Sequence, residues 1–267
     1  MPKILLLTAG YGEGHNAAAR GLQAAFTDLG AEAQTVDLFG VTGGEWYQHS
    51  RRAYLELISR APRLWAAVYR LIDGWPLVEF ALPAFHKLQA ALAALIHTER
   101  PDSVVSVYPV YGYLLQRLYP DPARRPFAFH TVVTDSITIN SVWFRCASDS
   151  FFVPNEDTAR IMAAAGVPAH KLHALGFPVA LKFADERPER PPPGPDSPPR
   201  VLFMINAGTD QTLATVRRLL AQERLQLTVT VGRDEVLRAR IEQLAAASGR
   251  PIEIHGWTDR MPALLMT

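Results

Sequence analysis

Cysteine is nearly absent. Cys146 is the single one in 267 residues, which excludes a disulfide framework and a cysteine-built metal centre and suits a reducing compartment. Long hydrophobic runs are missing too. No stretch of about 18 uncharged apolar residues occurs, and the opening apolar segment, Ile4–Leu7, is too short for the core of a signal peptide. Neither charge sign is in excess. The 27 basic and 26 acidic residues leave a net charge of +1, without the basic field of a nucleic-acid-binding protein. There is no G-x-S-x-G elbow and no P-loop. His49, His86, His97, His130, His170 and His173 show no metal-ligand spacing with one another. The expectation is a cytoplasmic globular protein whose 48% hydrophobic content can bury a real core.

What is present is a βα rhythm in two blocks. Lys3–Thr8 reads as a buried strand and His15–Leu29 as a helix with Gly30 as its C-cap. Glu32–Leu38 follows as a second strand, giving a parallel βαβ unit. From Trp46 to about Ala94 the pattern is helical, broken at Pro62, Pro76 and Pro83. Strands are expected at Val104–Val107, Ala128–Thr134, Phe151–Pro154 and His173–Gly176, with helices at Gly112–Leu118 and Glu156–Ala165. The charged, proline-rich stretch DERPERPPPGPDSPPR, 185–200, reads as a linker. Strand and helix patterns then resume, from Val201–Ile205 to Met261–Met266. The expected organisation is a domain over 1–184, a linker over 185–200, and a second, short α/β domain over 201–267.

The stretch TAGYGEGHN, Thr8 to Asn16, stands between the first strand and the first helix. A glycine-rich turn there places backbone N–H groups and a helix dipole where an anion can bind. One reading is a dinucleotide fingerprint, with Asp37 on a ribose hydroxyl, but the third glycine position is occupied by His15. A second reading makes the glycines mere turn formers and His15 a solvated residue. A third makes His15 a general base, held neutral by the helix dipole.

TAGYGEGHNAAARGL resembles the N-terminal signature of the monogalactosyldiacylglycerol synthases and the related bacterial diacylglycerol glucosyltransferases. HTVVTDSITINSVWF (130–144) resembles that family's "VTD…W" strand and loop. DSFFVPNEDTARIMAAAGVPAHKLHALGFPV (149–179) resembles the stretch ending in its "G-x-P-V" turn, and VTVGRDEVLRARIE and HGWTDRMPALL resemble the start of its donor domain. The resemblance implies a GT-B-like α/β fold of two Rossmann-type domains with parallel sheets, the second incomplete. It implies transfer of a hexose, galactose or glucose, from a UDP-sugar to diacylglycerol with inversion; nothing visible in the sequence requires a metal, and no cofactor is expected beyond the co-substrate.

Under the same resemblance His15 and Asp135 are the catalytic candidates: His15 as base or diphosphate contact, Asp135 as an acceptor-side carboxylate. On pattern alone, Asp135 reads equally as a turn residue. Gly12, Glu13, Gly14, Asn16, Thr134 and Trp143 are the substrate-binding candidates. The chain departs from the family at FMINAGTDQT, where a glycine-rich turn is expected and Gly208 is the one glycine. It also stops before the family's nucleotide-sugar signature, which makes a fragment or a catalytically silent lipid-binding relative an alternative. Transfer to another lipid-linked acceptor is a further alternative.

Between Ser50 and Leu88, arginines alternate with large apolar side chains. Arg60, Arg63, Trp65, Tyr69 and Trp75 are the candidates for contact with an anionic membrane surface, set against ordinary helices packed on a sheet. A lipid acceptor implies the membrane reading, peripheral on the inner face of the plasma membrane.

Overall fold

The computed structural model describes residues 1–185, 194, 196–205 and 210–266, without the side chains of residues 46, 55, 58–60, 62, 184, 185 and 210. Most of the proline-rich stretch, Gly208 and the Arg60 side chain therefore lie outside the described residues. The chain divides into two compact units, Met1–Leu181 and Lys182–Thr267.

The first unit opens with β1 (Lys3–Thr8), α1 (Glu13–Asp28) and β2 (Glu32–Asp37). Gly30 takes φ +83° just past α1, and the N–H of Ala31 reaches the Phe26 carbonyl at 2.9 Å. This left-handed closure costs other residues more than glycine. Four helices follow: α2 (Leu38–Arg60), α3 (Pro62–Gly74), the short α4 (Leu77–Ala81) and, after a 3-10 turn, α5 (His86–Glu99). The helical region begins directly after β2, eight residues ahead of the Trp46 expected from the pattern. The start signal is Asp37, whose carboxylate accepts from Gly40 N–H at 3.0 Å as an N-cap. The unit is completed by β3 (Ser103–Ser106), α6 (Val110–Leu118), β4 (Ala128–Val132), β5 (Ser150–Val153), α7 (Glu156–Ala164) and β6 (Leu172–Ala174).

These six strands form one parallel sheet in the order β2-β1-β3-β4-β5-β6. The period-two geometry of β1 sends its side chains into two layers. Leu5 and Leu7 join Leu88, Leu92 and Ile96 of α5 and Leu114 of α6 in one core cluster. Leu6 points the other way and packs with Ala18 and Ala19 of α1. Both faces of β1 are covered, as a parallel sheet requires. Strand order reverses direction between β1 and β3, and in such sheets ligands bind outside the carboxyl ends of the strands at that point.

The second unit holds α8 (Lys182–Asp185), β7 (Arg200–Met204), α9 (Asp210–Leu220), β8 (Gln226–Thr230), α10 (Glu235–Ser248), β9 (Glu253–His255) and α11 (Met261–Leu265). Its sheet is parallel in the order β7-β8-β9. Val216, Leu220, Val229, Leu237 and Ile241 make its core.

Candidate functional site

The glycine loop is held from below by a carboxylate. Asp37 Oδ2 accepts from the Gly10 N–H at 3.0 Å and from the Tyr47 hydroxyl at 3.0 Å, while its other oxygen caps α2. A Cβ at Gly10 would collide with that hydroxyl. Burial, and then the Asp37 charge, push the Tyr47 phenol up to about 12. With both oxygens engaged, Asp37 organises the loop and does not face a ribose, which removes the dinucleotide reading. Asp37→Ala strands two N–H groups and a phenol, and is expected to cost about 1–3 kcal/mol of stability, measurable by urea denaturation followed by circular dichroism. A shift below about 0.5 kcal/mol, the usual range of surface substitutions, would contradict this role.

α1 begins at Glu13, two residues earlier than expected, so His15 sits inside its first turn. Its Nδ1 lies 2.9 Å from Thr134 Oγ1. The ring stands edge-on to Tyr108 at 5.2 Å between centroids and tilted to Trp143 at 6.0 Å. Burial lowers the His15 pKa below its ordinary 6.5, outweighing the Asp135 charge and the Val107 backbone, which both raise it. The imidazole is thus kept neutral by desolvation, where the sequence pointed to the helix dipole.

Asp135 follows β4, which ends at Val132, two residues before the Thr134 expected. The early end releases Thr134 and Asp135 from the sheet into the loop. Asp135 Oδ2 accepts from Trp143 Nε1 at 2.8 Å, and the Tyr69 hydroxyl lies 3.5 Å away. Trp143 is 2% exposed, so it supports Asp135 from within the core cluster of Ile139, Phe151 and Met162. Ile137 takes φ +60°, a conformation that costs a β-branched residue about 1–3 kcal/mol.

These groups line a cleft of 840 Å³ at the carboxyl ends of β1, β3 and β4, within the range of small-molecule sites. His15, Thr134, Asp135 and Trp143 come together there, as do Trp65 and Tyr69 from α3, together with Tyr54, Tyr108, Arg70 and Phe177. Tyr108 is a site residue that pattern reading passed over. Its position directly after the apolar run of β3, at a strand's carboxyl end, was the available signal.

The remaining candidates lie elsewhere. A Cβ at Gly14 would meet nothing within 4 Å and one at Gly12 only the His15 ring at 4.0 Å, so both glycines leave the start of α1 open to a ligand. Glu13 pairs with Arg20 on the exposed side of α1. Asn16 accepts from Thr8 Oγ1 at 2.9 Å. Arg63 is exposed, and Trp75 is exposed together with Leu64, Leu71 and Phe80. Among the described residues, no helix is long and apolar enough to cross a membrane. In the second unit, the Arg233 guanidinium lies 4.6 Å over the Trp257 ring, just past the carboxyl ends of β8 and β9.

The profile of the family described as monogalactosyldiacylglycerol (MGDG) synthase matches residues 15–179. A processive diacylglycerol beta-glucosyltransferase of Bacillus cytotoxicus is 25% identical over 273 residues, covering 98% of this chain and 69% of its own length. Among solved structures, the lipopolysaccharide outer core galactosyltransferase WaaB in its apo form superposes with a TM-score of 0.52 at 11% identity over 97% of this chain and 69% of its own. MurG of Acinetobacter baumannii superposes with a TM-score of 0.52 at 13% identity over 96% of this chain and 66% of its own. At these identities the two structures bear on the fold alone, and that fold is GT-B.

Proposed function

The chain belongs to the monogalactosyldiacylglycerol synthase family, and from that premise we propose that it moves a hexose from a UDP-sugar to the hydroxyl of diacylglycerol. The observation that carries this reading is a half-buried imidazole, its pKa lowered by desolvation, and a carboxylate opening into one apolar-walled cleft at the strand switch point. In the tautomer with its proton on Nδ1, directed at Thr134 Oγ1, His15 has the Nε2 lone pair to accept a proton. The acceptor oxygen attacks the anomeric carbon opposite the diphosphate. The bond from that carbon to the phosphate oxygen breaks, its electron pair leaves with UDP, and the hydroxyl proton passes to His15. Asp135 then stabilises the imidazolium.

Tyr54, Trp65, Ile72 and Phe177 supply walls suited to an acylglycerol. The first turn of α1, with Gly12 and Gly14 open above it, offers its N–H groups to an anion. In the second unit, Arg233 stacked on Trp257 presents a fixed cation and a flat apolar face, chemistry that suits a nucleotide. The activated sugar comes with the co-substrate, so the transfer calls on no further cofactor.

Leu64, Leu71, Trp75 and Phe80 stand exposed beside Arg63 and Arg70. This is the composition of a peripheral surface for an anionic leaflet, each basic residue adding about 1 kcal/mol, and it supports a location on the inner face of the plasma membrane.

The test supplies UDP-glucose or UDP-galactose with anionic vesicles containing diacylglycerol or, in a parallel arm, a polyprenyl-linked acceptor, and reads products by mass spectrometry and vesicle binding by sedimentation. Monohexosyl-diacylglycerol is expected. Product from a polyprenyl-linked acceptor only would refute the acceptor assigned here. Failure to sediment with the vesicles, unaltered by Arg63→Ala, would refute the membrane surface.

A further inference from the structure

The loop that carries Asp135 is held in a strained shape from outside the sheet. Thr138 N–H donates to the Ser136 carbonyl at 2.7 Å, closing a three-residue turn around Ile137 at φ +60°. Turns of this hand are rare and strained, and a β-branched residue is badly suited to that region. Such a conformation persists only where its surroundings over-determine it.

Three bonds do so. Ile137 N–H donates to Thr158 Oγ1 at 3.1 Å, and Asn155 Nδ2 donates to Ser136 Oγ at 2.8 Å, both partners lying at the start of α7. The third comes from α3, where the Tyr69 hydroxyl donates to the Thr138 carbonyl at 2.8 Å. α3 is in turn fastened to the far end of the same loop. Asn140 Nδ2 donates to the Tyr69 carbonyl at 2.9 Å, and Ser141 N–H donates to Asp73 Oδ1 at 2.6 Å. The helix is a splint across the loop, and Tyr69 is the point where it grips the turn.

We infer that Tyr69 is a positioning residue for Asp135: by holding the Thr138 carbonyl it keeps the turn at Ile137 closed and the carboxylate facing the cleft that His15 lines. A phenylalanine would fill the same volume of cleft wall without gripping the turn. Once released, Ile137 relaxes toward negative φ and carries Asp135 away. The kinetic consequence rests on the transfer reaction proposed above; the geometric one does not.

The charged and titratable groups around the imidazole are Asp135 from this loop, Tyr108 after β3, Tyr54 on α2, and Tyr69 and Arg70 on α3. The tyrosines are all pushed above their ordinary values and stay neutral near pH 7. Asp135 raises the His15 pKa, so its withdrawal lowers the midpoint of the imidazole.

The experiment compares wild type, Tyr69→Phe and the double variant Tyr69→Phe with Ile137→Gly. It reads the His15 titration by NMR together with steady-state kinetics. In Tyr69→Phe the His15 midpoint is expected to move to lower pH. Turnover is expected to fall about 10- to 100-fold, the scale of a misplaced group near the chemistry, with KM for the UDP-sugar unchanged. Glycine at 137, which accepts positive φ without strain, is expected to restore both. An unmoved His15 midpoint in Tyr69→Phe, or no restoration by Ile137→Gly, overturns the inference. If the wild type transfers no sugar, the transfer reading falls, and the His15 titration alone decides the role of Tyr69.

Discussion

Replacing His15 with alanine is expected to lower turnover by about 10²- to 10⁴-fold, the range that a positioned general base contributes, while the protein keeps its fold. The ring contributes little to the main core: it stands in the first turn of α1, opposite Thr134 and edge-on to Tyr108. The pH dependence makes the assignment specific. A base works in its unprotonated form, so activity follows the neutral fraction of the imidazole. Burial lowers the His15 pKa, and activity is therefore present at pH 7 and lost as pH falls through a midpoint below 6.5. That acid limb should vanish in His15→Ala, whose small residual rate has no imidazole to titrate. Turnover within twofold of wild type, or an acid limb that persists unchanged in the variant, would remove His15 from the mechanism. The structure makes burial the deciding effect, since Asp135 and the Val107 backbone pull the pKa the other way and lose.

Trp143→Ala should have the largest effect on stability in the first unit. The indole is 2% exposed and packs with Ile139, Phe151 and Met162. Emptying such a site costs about 3–5 kcal/mol. The same substitution removes the 2.8 Å bond to Asp135, leaving a part-buried carboxylate without its nearest donor. Trp143→Phe separates the two contributions. It keeps most of the packing, so stability should fall by about 1–3 kcal/mol, the cost of leaving a polar partner unmet, while turnover still drops because Asp135 is no longer held. Urea denaturation read alongside the product assay distinguishes them. A Trp143→Phe protein with wild-type turnover would show that the indole N–H does not position Asp135.

Several elements were legible from local pattern because local physics makes them. The apolar run Lys3–Thr8 could be little other than a buried strand, and its observed bounds are the same. Gly30 announced the end of α1 through its freedom at positive φ. The turn with three alternating glycines ahead of His15 marked the carboxyl end of β1 as a candidate site before any packing was known. Asp37 shows where pattern reading misleads. An acidic residue after a second strand looks alike whether it meets a ribose or caps the next helix, and only the position of Tyr47 and Gly10 separates the two. Trp65 and Tyr69 show the same limit. Their spacing with arginine suits a membrane face, yet both rings turn into the cleft, because α3 lies across the loop that follows β4.

By itself the sequence determined the alternation of strands and helices, the family, and the placing of His15 at a helix start, since each depends on residues a few positions apart. Tertiary structure alone decided that Tyr69, Asp135 and Trp143 meet beside that imidazole. Tyr69 and Asp135 lie 66 positions apart, and no periodicity in either segment states which face of α3 will be covered. That is settled by packing that buries apolar surface while Tyr69, Thr158 and Asn155 pair with polar groups of the Asp135 loop.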